Sequence, residues 1–195
     1  MKRKTHRYKY TQAAVVGLGL LLAVIAVPSG RAAAEPVGSA TAKDSLVLCS
    51  HIDELPANDR GAALKHGLQL AEEAVAADNR DAKAHFALFC NLGMQMQIDG
   101  LGFSSWSTYR RLRRELDTTL ALAPNDPDAL AAKGAMLLHL PRLLGGDPDA
   151  AERLLRRALT IEPDNSAARR YLAELLAERG DNDAAQGLVA SHVAH

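Results

Sequence analysis

The 195 residues suit one domain plus a short extra segment, and the scarcity of aromatic side chains (4%) beside abundant Ala and Leu disfavours a β-sandwich and favours closely packed helices. The formal charge of zero, 23 basic against 23 acidic groups, hides an asymmetry: Lys2, Arg3, Lys4, Arg7, Lys9 and Arg31 all precede the first acidic residue, Glu35, which leaves 17 basic against 23 acidic side chains beyond it, a formal −6. A net-negative body argues against nucleic acid or anionic lipid as its partner.

Residues 1–10 are cationic, and Ala13 to Val27 is an unbroken apolar run of 15 residues, short of the roughly 20 that a spanning helix needs. Pro28-Ser29-Gly30 breaks the run and Ala32-Ala33-Ala34 offers small residues before Glu35. This order of parts predicts a secretory signal peptide over residues 1–34, cleaved after Ala34, with an uncleaved N-terminal membrane anchor through residues 13–27 as the alternative. Either puts the body of the chain in the periplasm or outside the cell.

Residues 35–42, with Pro36 and Gly38, read as a flexible leader, followed by a helix from Lys43 to Leu55 that Pro56 ends. Asn58 or Asp59 is the expected cap of the next helix, Arg60 to Ala77, whose inward positions are Leu64, Gly67, Leu68, Ala71, Ala74 and Val75. Asp78-Asn79-Arg80-Asp81 is a turn. Helices follow over 82–98 and 104–123, separated by Asp99-Gly100-Leu101-Gly102, the second packing through Trp106, Tyr109, Leu112, Leu116 and Leu120.

Asn125 to Pro163 is the clearest unit. Asp126 can cap a helix that has Pro127 at its first position, Pro141 and Gly145-Gly146 end it, and Asp147-Pro148 repeats the start signal. Ala151, Leu154, Leu155, Ala158, Leu159 and Ile161 then form an apolar stripe at three-and-four spacing, closed by Pro163. A last pair covers 166–179 and 183–194, with Gly180-Asp181 at its turn.

Gly134, Gly146, Ala151, Ala158 and Pro163 stand where a tetratricopeptide repeat has its small residues, its Gly before the turn and its closing Pro, and the unit resembles that 34-residue helix–turn–helix. The resemblance implies an all-α, right-handed α-solenoid of about four helix–turn–helix pairs over residues 43–195. It further implies that first helices line a concave groove contacting a protein or peptide. Carried over by position, the contacts are Lys83, Phe86 and Cys90; Asp128, Ala131, Ala135, Leu138 and His139; and Arg170, Tyr171, Glu174 and Glu178. Leu140 to Asp147 is also similar to a segment of the exported repeat component of some tripartite ATP-independent periplasmic transporters. That likeness implies an accessory role with a small hydrophobic ligand, for which Leu137, Leu138, Leu140, Leu143 and Leu144 would supply an apolar cluster.

Cys49 and Cys90 are the only cysteines, and on first helices of adjacent pairs in an exported chain they are expected to form a disulfide, with two buried thiols as the alternative. Arg110, Arg111, Arg113 and Arg114 are the densest basic run. Arg111 and Arg113 have Glu115 and Asp117 four residues on, so Arg110 and Arg114 are the better binding candidates. The seven histidines form no metal signature, His85 and His139 reading as structural or surface residues and His192/His195 as a fraying end. No nucleophile elbow, phosphate-binding loop or set carboxylate pair is present, Gly145-Gly146-Asp147 reading as an interhelical turn. The expectation is therefore a non-catalytic exported scaffold without cofactor.

Overall fold

The computed structural model describes residues 37–99 and 103–190, so the signal or anchor segment and the His192/His195 pair lie outside the described residues. Eight helices fall within them: α1 Val37–Ser50, α2 Ala57–Ala77, α3 Ala82–Asp99, α4 Phe103–Leu122, α5 Pro127–His139, α6 Pro148–Ile161, α7 Ser166–Glu178 and α8 Asn182–Ala190. Short 3-10 turns stand at Ile52–Glu54 and Arg142–Leu144, and the described residues include no strand. All eight belong to one unit, Ala34–His195.

The ends are set by local chemistry. Asp126 accepts from the Ala129 amide, Asp147 from those of Asp149 and Ala150, and Asn165 from that of Ala168, each satisfying first-turn donors that α5, α6 and α7 would otherwise leave free. Two expectations fail at this level. No side chain of Asn58 or Asp59 caps α2; Pro56, extended at φ −53° and ψ 141°, starts it three residues early, and the Asp59 amide donates to the Pro56 carbonyl. The leader expected over residues 35–42 is helical from Val37 onward. Ala42 is wholly buried and the Ser39 hydroxyl donates to Asp81 Oδ2 at 2.9 Å, so the small residues that suggested looseness allow close packing instead.

Successive helices form antiparallel pairs, α1/α2, α3/α4, α5/α6 and α7/α8, and the pairs stack: α3 lies against α1 and α2, and α7 against α5 and α6. The architecture is thus all-helical and solenoid-like. Alanines make the close approaches, with Ala71, Ala74, Ala84, Ala87, Ala131, Ala151, Ala158 and Ala168 fully buried. A Cβ on Gly134 would stand 2.7 Å from Leu155 Cγ, so α5 and α6 approach more closely than any side chain at 134 permits. Gly67 plays the same part where α2 meets α3, its missing Cβ leaving room for Asn91 Oδ1. Asn91 is itself fully buried. Its amide donates to Ser45 Oγ (2.9 Å) and to the Ala87 carbonyl (2.9 Å), while Ser45 Oγ donates to the Gly67 carbonyl (2.8 Å), which pins three helices with one polar group.

Two apolar clusters result. One joins Ala42, Ala71, Ala74, Ala84, Ala87, Leu88, Leu92 and Leu112 of α1 to α4, and the other joins Leu130, Leu155, Leu172, Leu175, Leu176 and their neighbours on α5 to α8. They meet through Met136 of α5, packed on the first cluster, and Leu120 of α4, packed on the second. The junction between them is the loosest in the stack: α4 touches α5, but α3 and α5 have little close backbone packing. Trp106 and Ile161, expected to pack inward, are exposed at 58% and 43%. Trp106 stacks on Tyr109, and Ile161 is the last residue of α6.

Candidate functional site

The gap between α3 and α5 opens a groove of about 990 Å³. Leu46, Val47 and Ser50 of α1 and Phe86, Phe89, Cys90, Met94 and Met96 of α3 make one wall. Ala132, Ala135, Met136 and His139 of α5 and Ala167, Arg170 and Tyr171 of α7 make the other, with Tyr109 and Leu112 of α4 between. Among residues whose side chains are described, every Met, Phe and Tyr of the chain lines this groove. The rest of the core is built almost entirely from Ala and Leu, so the large, polarizable side chains are set aside for this one surface.

Cys49 and Cys90 are joined by a disulfide, Cα to Cα 6.3 Å, which ties α1 to α3 in the groove wall. Phe86 stacks on Phe89 with centroids 5.7 Å apart. Opposite them lie the polar groups of the groove. The Arg170 guanidinium lies 4.4 Å above the Tyr171 ring and donates to its hydroxyl at 2.6 Å, His139 meets the same ring edge-on at 5.7 Å, and His139 Nδ1 is 3.7 Å from Glu174 Oε1. Arg170 makes no ion pair among the described residues. Asp128, at the start of α5, accepts from Asn165 Nδ2 at 2.7 Å; burial of its carboxyl raises its pKa, the Asn165 bond works against that, and the nearby charges of Asp126 and Glu162 add to the rise. The Tyr109 hydroxyl is buried and unpaired, a group that costs about 1–3 kcal/mol to leave so.

Of the residues picked from sequence, Phe86, Cys90, Asp128, Ala135, His139, Arg170 and Tyr171 line the groove. Lys83 is exposed beside the turn and outside it, and Glu174 reaches it only through His139. Ala131 is fully buried in the second cluster and Leu138 packs against it, so neither faces the groove. Arg110 and Arg114 are exposed on α4, away from the groove and without ion pairs among the described residues. Arg111 pairs with Glu72 of α2 at 2.8 Å, not with Glu115, because Glu115 turns to the buried His85 at 2.7 Å; the other ring nitrogen of His85 meets the Asn79 carbonyl at 3.0 Å. The expected leucine cluster divides: Leu137 and Leu138 join the second core, Leu140 reaches the groove, and Leu143 and Leu144 are exposed at 99% and 54%. The α1 wall and Phe89, Met94, Met96 and Met136 were missed, although four large apolar residues surplus to an Ala–Leu stripe were a visible signal.

Among the described residues no group of three or more His, Cys, Asp or Glu is placed to hold a metal ion, and no helix is long and apolar enough to cross a membrane. Residues 142–195 match the tetratricopeptide repeat. The chain thus resembles the tetratricopeptide-repeat superfamily, an all-helical fold that is typically a non-catalytic scaffold for protein–protein interaction. No curated protein matches the chain.

Proposed function

We propose that this protein is an exported, non-catalytic tetratricopeptide-like scaffold that binds a protein or peptide segment in the groove between α3 and α5. The observation that carries the reading is the gathering of every described Met, Phe and Tyr side chain on that one surface, together with the unpaired Tyr109 hydroxyl and the uncommitted Arg170. Large apolar groups left facing a gap in a core otherwise closed by Ala and Leu mark a surface that a partner covers. Export is supported by the basic flank, the apolar run and the small residues before Glu35. N-terminal sequencing of the protein from its own cells tests it, with Glu35 the expected first residue.

The binding reading is tested with a photoreactive amino acid placed at Phe89 in the groove and, as control, at Arg114 on α4. Irradiation in the native envelope gives protein adducts at 89 and none at 114; equal labelling at both positions, or none at 89, sinks it. A second reading, an accessory of a transporter that holds a small hydrophobic ligand, is favoured by the volume and apolar walls of the groove. The same irradiation then yields an adduct of a few hundred daltons in place of a protein.

A further inference from the structure

The first helices of a repeat stack form one row, and here the row is interrupted. α1 packs on α3 and α5 on α7, but between α3 and α5 there is little close backbone packing. A helix lying along this groove would pack on side chains of α3 from one side and of α5 from the other.

Backbone chemistry decides between a helix and an extended segment. An extended peptide carries one free N–H and one free C=O at nearly every residue, and against Phe86, Phe89, Met94, Met96 and Met136 those groups would lose water without gaining a partner. No sheet edge among the described residues could take them up. A helix satisfies its own backbone and offers an apolar stripe, for which flexible Met side chains form an adaptable floor.

Charge sets the direction. Arg170 is the only Lys or Arg lining the groove, and its contacts are to the Tyr171 ring and hydroxyl, with no carboxylate among the described residues. The carboxylate of Asp128 is already held by Asn165, and His139 faces Glu174.

We infer that the occupant is an amphipathic α-helix of a partner protein, its apolar stripe on the Met and Phe side chains and an acidic residue near one end paired with Arg170. This deepens the peptide-binding reading above and rests on it.

The test is a selection on the full chain from a phage-displayed random library of peptides about 16 residues long, roughly 24 Å as a helix. Binders retained by Met94→Glu or Met136→Glu decoys are discarded, the two decoys guarding against a fault in either one. The expected consensus has apolar residues at i, i+3 or i+4, and i+7, no internal Pro, and Asp or Glu at one end. Replacing that acid with Lys weakens binding about tenfold, and on Arg170→Glu protein the order inverts. Apolar residues at i and i+2, or internal Pro, overturn the helix while leaving a peptide groove intact. An acidic position indifferent to Arg170→Glu overturns the charge pairing. A library with no groove-dependent binder removes the peptide-binding reading itself.

Discussion

At the scale of single residues, the groove wall holds a carboxyl whose environment works against its charge. Asp128 is a first-turn residue of α5 with its pKa raised, first by burial, then by Asp126 and Glu162, against the lowering hydrogen bond from Asn165. Between the ordinary carboxyl value and this raised one, the folded protein holds more proton than the unfolded chain. The group therefore opposes folding increasingly as pH rises through that window, and a penalty kept small by the exposure of the residue as a whole remains at neutral pH. Asp128→Asn keeps an oxygen that can accept from Asn165 Nδ2 and removes the charge. Its melting temperature is expected to exceed that of the unsubstituted protein at pH 7, and the difference should shrink as the pH is lowered to about 4. Paired thermal melts across that range check it. A difference that grows on acidification would mean that the hydrogen bond, not burial, governs this carboxyl.

At the scale of helices, α1 depends on ties made far along the chain. Its polar anchor Ser45 meets Gly67 and Asn91, and its Cys49 is bonded to Cys90, 41 residues away. Closing a loop of that length restricts the unfolded chain by about 4 kcal/mol in the chain-entropy account. The Cys49→Ser/Cys90→Ser double variant is expected to lose about that much in urea titrations, with amide exchange rising first in α1. Loss of stability without faster exchange in α1 would place the effect elsewhere. The long-range ties also mark where sequence reading stops. Helix starts at Asp126 and Asp147 were legible because a cap acts within three residues, and the Ala and Gly crossings were legible because periodicity reports which face turns inward. The start of α1 was not, since Ala42 is recognisable as core only when α2 and α3 are folded against it. Nor was Trp106, whose exposure follows from the position of α4 in the stack. In the groove, Asp128, His139, Arg170 and Tyr171 could be found from their places on first helices. The α1 wall could not, because it belongs to the groove only where α3 and α5 are parted, whereas Phe89, Met94, Met96 and Met136 stood out as large residues beyond the Ala–Leu stripe.

At the scale of the molecule, the loose junction predicts how the fold comes undone. One apolar cluster closes α1 to α4, another closes α5 to α8, and what joins them is Met136, Leu120 and ties such as Lys133 to Asp117 at 2.6 Å. Stacked repeats have stability that adds from neighbour to neighbour, so a weak interface lets one side open while the other holds. Leu155 is fully buried at the centre of the second cluster, against Gly134. Truncating it leaves a cavity that rigid helix crossings fill poorly, at a cost of about 2–5 kcal/mol. In Leu155→Ala, hydrogen exchange read by mass spectrometry should accelerate throughout α5 to α8, while α1 to α3, held by Asn91 and the disulfide, keep their protection. Equal acceleration in both halves would show that the stack unfolds as one unit and that the gap between α3 and α5 is no weaker than its neighbours. A helix bound in that gap would touch both clusters at once. It should therefore return protection to α5 and α7 in the same variant, because the free energy of binding is then also free energy of joining the halves.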